Sequence, residues 1–314
     1  MATLNRLRVL TQEQFFSFDY HSVVYPSKGD YLDSLRSHYH KFIHPMVPFI
    51  CVILYLTCSK PVCDFIRLLF GQKKKENGKY WTLFLKYFSF VHNLLLCAYS
   101  GWTFYNTYQL VQTVTAIHQK ANPSLSWMSA FYLTNCDTDG LLWAKHDFGT
   151  WVFHFYLSKY YEFVDTWIIL LKDKKPMFLQ TFHHAGIVLL MWSFVASQNN
   201  VMGICVTVLN SFIHTIMYFY YMCSTIGIRL PFKILITSAQ LLQFFTGIIY
   251  STPTYWMDNC HTDATWWTQL YVNVYTLVLI VLFMGFAYNE YHVKPVHAEQ
   301  AKAKAAGLKG KKTK

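Results

Sequence analysis

The chain has 314 residues, a formal net charge of +11, 54% apolar residues and only 14% charged ones. Soluble proteins average about 25% charged residues, so this composition argues against the plain alternative, a large soluble helical domain. Several apolar runs reach roughly 20 residues, enough to cross a bilayer, and polar breaks separate them. Residues 1–16 lack the apolar region and small-residue cleavage site of a signal peptide, so the first apolar helix is expected to act as its own insertion signal. The sequence has no glycine-rich phosphate loop and no repeat with a period of about 20–50 residues.

In chain order, residues 1–40 form a mixed polar lead-in. The first expected span runs from Phe42 to Cys58, with Pro45 and Pro48 in its first turns. A basic segment follows, with Lys60, Arg67, Lys73, Lys74, Lys75 and Lys79. The second span lies within Leu83–Val111 and carries His92 and Asn93, and a loop from Thr115 to Asp147 contains Cys136. Phe148–Leu171, Met177–Ala196, Val201–Met222, Ile234–Tyr250 and Trp266–Tyr288 complete a set of seven. Cys260 lies in the loop before the last span. Residues 41–288 thus read as an all-α integral membrane domain, and 289–314 as a basic tail.

Seven spans put the two ends on opposite sides. The loops after spans one, three and five, together with the tail, hold most of the lysine and arginine, whereas the opposite loops offer Lys120 and Lys145. The positive-inside bias therefore places the tail in the cytosol and the lead-in in the lumen, although Arg6, Arg8, Lys28, Arg36 and Lys41 oppose it. Lys311 and Lys312 match a dilysine retrieval signal of the endoplasmic reticulum, which is read on a cytosolic tail. The plain alternative is a solvated charged end.

The polar residues of the spans fall into patterns. Lys159, Glu162, Asp165 and Thr166 are spaced to share one side of a helix, as are Gln180, His183 and His184. Asn210, His214, Met217, Tyr218 and Tyr221 share another. At 1.5 Å per residue, Glu162 and Asp165 lie roughly 9–14 Å from the cytosolic end of their span, His183 about 10 Å, His214 about 15 Å and Gln240 about 10–12 Å. Ionisable groups in apolar helices are costly and usually mark function. A single buried histidine is more often structural, but several helices converging on one layer, with Gln243 beside Gln240, point to a site.

Two chemistries suit that layer. A histidine-rich metal oxygenase needs several histidine clusters, and the only paired box here is His183-His184; three histidines could still hold one zinc. Metal-free acyl chemistry needs a histidine as base or nucleophile, a carboxylate fixing its tautomer, and tyrosine or amide groups for a thioester oxygen.

Four ordered motifs carry a resemblance. They are K-x-x-E-x-x-D-T (Lys159, Glu162, Asp165, Thr166), Q-x-x-H-H (Gln180, His183, His184), N-x-x-x-H-x-x-M-Y (Asn210, His214, Met217, Tyr218) and T-x-x-Q-x-x-Q (Thr237, Gln240, Gln243). The chain resembles the ELO family of fatty acid elongases over spans two to seven, with His92-Asn93 as a weaker outpost. The box departs from the commoner H-x-x-H-H form at Gln180, a variant that resembles elongases of polyunsaturated chains.

The resemblance implies seven helices, six of them surrounding a narrow acyl tunnel closed toward the lumen. It implies condensation of acyl-CoA with malonyl-CoA to 3-oxoacyl-CoA, CoA and carbon dioxide, with no cofactor. Reductases and a dehydratase of the same cycle are the implied partners, a homodimer is allowed, and nucleic acid is not expected. His183, His184, His214, Asp165, Glu162 and Lys159 are the expected catalytic set. Gln180, Asn210, Tyr218, Gln240 and Gln243 are expected to bind substrate. Lys172, Lys174, Lys175, Arg229 and Lys233 would attract CoA phosphates at the mouth, beyond what positive-inside topology alone requires. Tyr250, Trp256, Trp266 and Trp267 either close the tunnel or anchor the interface. The topology puts Cys136 and Cys260 in lumenal loops and the other six cysteines in spans or on the cytosolic side, which predicts a Cys136–Cys260 disulfide. A seven-helix receptor or transporter is the rival reading. A receptor would expose its ligand site on the lumenal or outer face.

Overall fold

The computed structural model describes residues 39, 41–72 and 77–294. Most of the lead-in, Lys73, Lys74 and Lys75, and the dilysine tail lie outside the described residues. Among the described residues every regular element is helical. Six helices are long and apolar enough to cross a membrane: α1 Met46–Leu69, α2 Lys79–Ala121, α6 Phe178–Ala196, α7 Asn200–Thr225, α8 Lys233–Trp256 and α9 Asp263–Val293. Between α2 and α6 lie three shorter α-helices, α3 Trp127–Cys136, α4 Phe148–Tyr161 and α5 Phe163–Leu171, and a π-helical turn, Leu141–Lys145.

The expected third span is therefore two helices, and the uninterrupted long apolar helices among the described residues number six. The break falls at Glu162, which has φ −63° and ψ −12°. There the amide of Asp165 bonds the carbonyl of Glu162 three residues back, at 3.1 Å. A tightened turn of this kind re-aims the helix beyond it.

Two other boundaries differ from the sequence reading. α1 continues to Leu69 through Pro61, Lys60 and Arg67. The charges are accommodated: Lys60 pairs with Asp64 one turn on, and Arg67 donates to the carbonyl of Leu171 and to Asn77, both at 2.9 Å. The segment expected as a loop from Thr115 to Asp147 is largely helical, because α2 runs on to Ala121. The Thr115 hydroxyl bonds the carbonyl one turn back at 2.8 Å and reaches Thr134 of α3 at 3.1 Å. α3 begins at Ser126, whose hydroxyl caps the amide of Ser129 at 3.1 Å. It ends at Cys136, which is disulfide-bonded to Cys260.

α4, α6 and the start of α7 make the core, with Phe148, Phe153, Phe155, Val188, Met191, Phe194 and Met202 fully buried or nearly so. α1, α8 and α9 instead expose leucine, isoleucine and valine along their outer faces, which suits hydrocarbon and would be a liability in water. α6 and α9 meet at Gly186: a Cβ there would lie 2.2 Å from the Tyr275 hydroxyl oxygen, so only glycine allows the approach. α7 contains a π-helical segment, Cys205–Leu209, immediately before Asn210. π segments accommodate an extra residue and rotate the turns C-terminal to them.

Candidate functional site

A cavity of about 450 Å³ opens between α2, α5, α6, α7, α8 and α9. α1 contributes nothing to its lining, so six helices surround it. A smaller cavity of about 50 Å³ continues the space, lined mostly by apolar side chains such as Ile187, Leu190, Val206, Val272 and Leu279. His183, Asn210, Gln243 and Phe244 border both. The polar chamber and the apolar one thus share a wall that carries the first histidine of the paired box.

Of the expected catalytic set, His183, His184, His214 and Asp165 line the larger cavity. Lys159 and Glu162 do not; they lie beneath its wall, with side chains 0% and 2% exposed. The Lys159 ammonium donates to Oε1 of Glu162 at 2.7 Å and to Oδ1 of Asn210 at 3.2 Å, and sits 3.7 Å above the Phe155 ring. Nδ1 of His214 is 3.4 Å from the same Glu162 oxygen, close enough for an ion pair but outside hydrogen-bond geometry. The break at Glu162 turns this carboxylate toward α7, so Lys159, Glu162, Asn210 and His214 form one cluster.

Asp165 belongs to a second cluster. Its two oxygens are engaged by His92 at 2.9 Å and by the Tyr218 hydroxyl at 2.7 Å. His184 Nε2 stands 4.0 Å from the oxygen that Tyr218 holds. Tyr218, expected to bind substrate, lines the cavity and donates its hydroxyl to Asp165.

Gln180, Asn210, Gln240 and Gln243 all line the cavity. Gln180 donates weakly to the Thr166 hydroxyl at 3.4 Å, and Thr166 in turn bonds Tyr55 of α1 at 2.8 Å. Asn210, His214, Met217, Tyr218 and Tyr221 share one cavity-facing side of α7, as their spacing predicts.

At the mouth, Lys172 lines the cavity and donates to Ser89 at 2.8 Å. Burial, and secondarily the charge of Lys174, pull its ammonium below the usual lysine range. Lys174, Lys175, Arg229 and Lys233 lie outside the lining. Lys233 is held by Glu290 at 2.6 Å. Of the two readings of Tyr250, Trp256, Trp266 and Trp267, the structure favours interfacial anchoring: none of them lines the smaller cavity, and Trp256 is 70% exposed.

Sequence reasoning missed Tyr161, Ser89 and Tyr275. The Tyr275 hydroxyl lies 3.3 Å from the carbonyl of Phe182 and 3.4 Å from that of His183. No spacing rule connects Tyr275 to Gly186, since their contact belongs to the α6–α9 crossing.

Fold and site together define an all-α multi-pass membrane protein whose helices enclose a histidine- and carboxylate-lined cavity. Residues 42–300 match a family model described as ELO: GNS1/SUR4 family. The chain is 40% identical over 146 residues to fatty acid elongase sre1 of Dictyostelium discoideum, covering 46% of this chain and 54% of that protein. It is 31% identical over 220 residues to fatty acid elongase 3 of Trypanosoma brucei brucei, covering 68% and 71%. A very long chain fatty acid elongase 4 of Trypanosoma cruzi is 30% identical over 236 residues, covering 71% and 76%. The first of these matches spans only about half of that relative's length. The chain belongs to the ELO family.

Proposed function

We propose that this chain is the condensing enzyme of fatty acid elongation, a 3-oxoacyl-CoA synthase that joins acyl-CoA to malonyl-CoA with loss of CoA and carbon dioxide. The relatives named as fatty acid elongases support this class of reaction. The observation that carries it is the position of His183, on the wall between a polar chamber and an apolar one. A thioester with its first methylenes in the apolar space brings its carbonyl to that wall.

In the covalent version, an imidazole nitrogen of His183 attacks the thioester carbonyl. A C–N bond forms, the C–S bond breaks with its electron pair on sulfur, and the departing thiolate takes the proton the imidazole loses. Imidazole suits this role because it is nucleophilic when neutral and its acyl derivative stays reactive. Malonyl-CoA then loses carbon dioxide, and the resulting carbanion attacks the acyl carbonyl. The C–N bond breaks, and the imidazole regains a proton from the open chamber. Asn210, which is fixed by Lys159, and Gln240 are placed to donate to an enolate or thioester oxygen. His214, beside Glu162, is the group that assists decarboxylation. Each step uses residues of this chain and needs no cofactor.

Several finer readings extend this proposal. The glutamine of the Q-x-x-H-H box favours a polyunsaturated acyl-CoA, and competition between saturated and polyunsaturated acyl-CoAs of equal length tests that. An endoplasmic-reticulum location with a cytosolic tail is inferred from charge bias and the terminal lysines, and the cycle's reductases and dehydratase are the partners it implies. Elongation itself is tested with membranes containing the full chain, acyl-CoA and radiolabelled malonyl-CoA. Formation of 3-oxoacyl-CoA supports the reading, and its absence removes it. Acyl-CoA alone separates the covalent route from a ternary complex in which histidine acts only as base. The covalent route requires CoA release and an adduct on His183 that is lost in His183→Ala.

A further inference from the structure

Asp165 is gripped from two sides. From α2, His92 places Nε2 2.9 Å from Oδ1; from α7, the Tyr218 hydroxyl donates to Oδ2 at 2.7 Å. A carboxylate only accepts hydrogen bonds, so Nε2 of His92 carries the hydrogen. In the neutral ring Nδ1 is then an acceptor, and it faces the Tyr161 hydroxyl at 3.2 Å. The His92 side chain is 1% exposed. Its ring is flanked by Phe88, with centroids 6.5 Å apart, and by Tyr161 at 5.3 Å.

Both ring nitrogens are thus committed, and His92 has none to offer a substrate, although it borders the cavity. Whatever it contributes must pass through Asp165. That carboxylate also stands 4.0 Å from Nε2 of His184, on the oxygen that Tyr218 holds. A carboxylate tied at only one oxygen can rotate about its last side-chain bond, whereas one tied at both cannot. At 4.0 Å the His184 contact is electrostatic, not a hydrogen bond, so fixing Asp165 fixes the negative charge that faces the His184 ring beside His183.

We propose that His92 is a positioning residue: braced by Tyr161 at its other nitrogen, it locks Asp165 against Tyr218 so that the carboxylate's charge orients His184 in the reactive chamber. This rests on the condensing reading given above.

The test is steady-state elongation by the full-length chain, with Asp165→Asn as a background. His92→Phe keeps the ring's volume and removes both nitrogens. Loss of a charge-assisted hydrogen bond lowers kcat by about 10–100-fold, with KM for acyl-CoA within about twofold. His92→Gln retains an N–H donor for Asp165 and recovers most of the lost rate, which a purely steric role would not explain. Tyr161→Phe, which removes only the hydrogen bond at Nδ1, lowers kcat by about threefold. In Asp165→Asn, adding His92→Phe costs nothing further if the histidine acts through the carboxylate. The proposal is overturned if His92→Phe has wild-type kcat, if His92→Gln is as impaired as His92→Phe, or if the two losses add. Should His92→Phe fail to fold, the His92→Gln and Tyr161→Phe rates still decide, since near-normal kcat in Gln with a clear loss in Tyr161→Phe is required. An inactive wild type would instead remove the condensing reading itself.

Discussion

Replacing Lys159 by methionine tests whether the buried charge cluster holds the fold as well as the site. The Lys159 ammonium is the full positive charge set against Glu162, 2.7 Å away, in surroundings where neither side chain is more than 2% exposed. Oε2 of Glu162 is buried without a hydrogen-bond partner, and Oε1 has only Lys159 and the more distant His214. Removing the lysine therefore strands a carboxylate in a dry interior. Breaking one partner of a buried ion pair costs about 3–5 kcal/mol. The double variant Lys159→Met/Glu162→Leu removes both charges and is expected to recover nearly all of that, because an apolar pair of similar volume is about as stable. Thermal unfolding of the purified full-length protein in detergent reads both effects. Activity separates them: the double variant regains stability but not turnover, because Asn210 and His214 lose the groups that hold them. A Lys159→Met protein that melts with the wild type would refute the buried pair, and a double variant no more stable than the single would refute the charge account.

Gly186→Ala sets a methyl group 2.2 Å from the Tyr275 hydroxyl oxygen; overpacking of this kind costs about 1–3 kcal/mol, and it displaces the α6 turn that carries His183, so turnover falls while expression is partly retained. Cys136→Ser opens the covalent link between two sites 124 residues apart and is expected to lower stability by about 2–4 kcal/mol, and the mass of peptides from unreduced wild type should show the pair joined. Lys172→Gln removes the one cation of the basic mouth that lines the cavity; it raises KM for CoA substrates, and raising the salt concentration affects the wild type more than the variant. An unchanged KM would assign Lys172 to its bond with Ser89 alone.

Much of the site is legible in the sequence because its groups sit at helical spacings within single elements. Asn210, His214, Met217, Tyr218 and Tyr221 face one cavity because they share one side of α7. Spacing fails where an element is interrupted. Lys159, Glu162, Asp165 and Thr166 read as one stripe, yet the turn at Glu162 divides them: Lys159 and Glu162 meet Asn210 and His214, Asp165 meets His92 and Tyr218, and Thr166 meets Tyr55. The length of α2 is also hidden: threonines and a histidine look like loop residues, but a hydroxyl that bonds one turn back, as at Thr107 and Thr115, satisfies itself inside a helix. Contacts such as Tyr275 on Gly186, or His92 on Asp165, depend on which helix packs against which, and no single-sequence period encodes that.

The two interruptions also explain how two acid groups so close in sequence come to serve different histidines. An unbroken helix would carry Glu162 and Asp165 nearly one turn apart on one side, competing for the same partners. The tightened turn at Glu162 directs its carboxylate to Lys159 and His214, while Asp165 faces His92, Tyr218 and His184. On the opposite wall, the π segment ending at Leu209 sets the register from which Asn210 reaches Lys159 and His214 reaches Glu162. One irregularity on each side of the chamber thus sets Glu162 beside His214 and Asp165 beside His92 and His184. A single shared carboxylate would instead couple the His184 and His214 sides of the chamber directly.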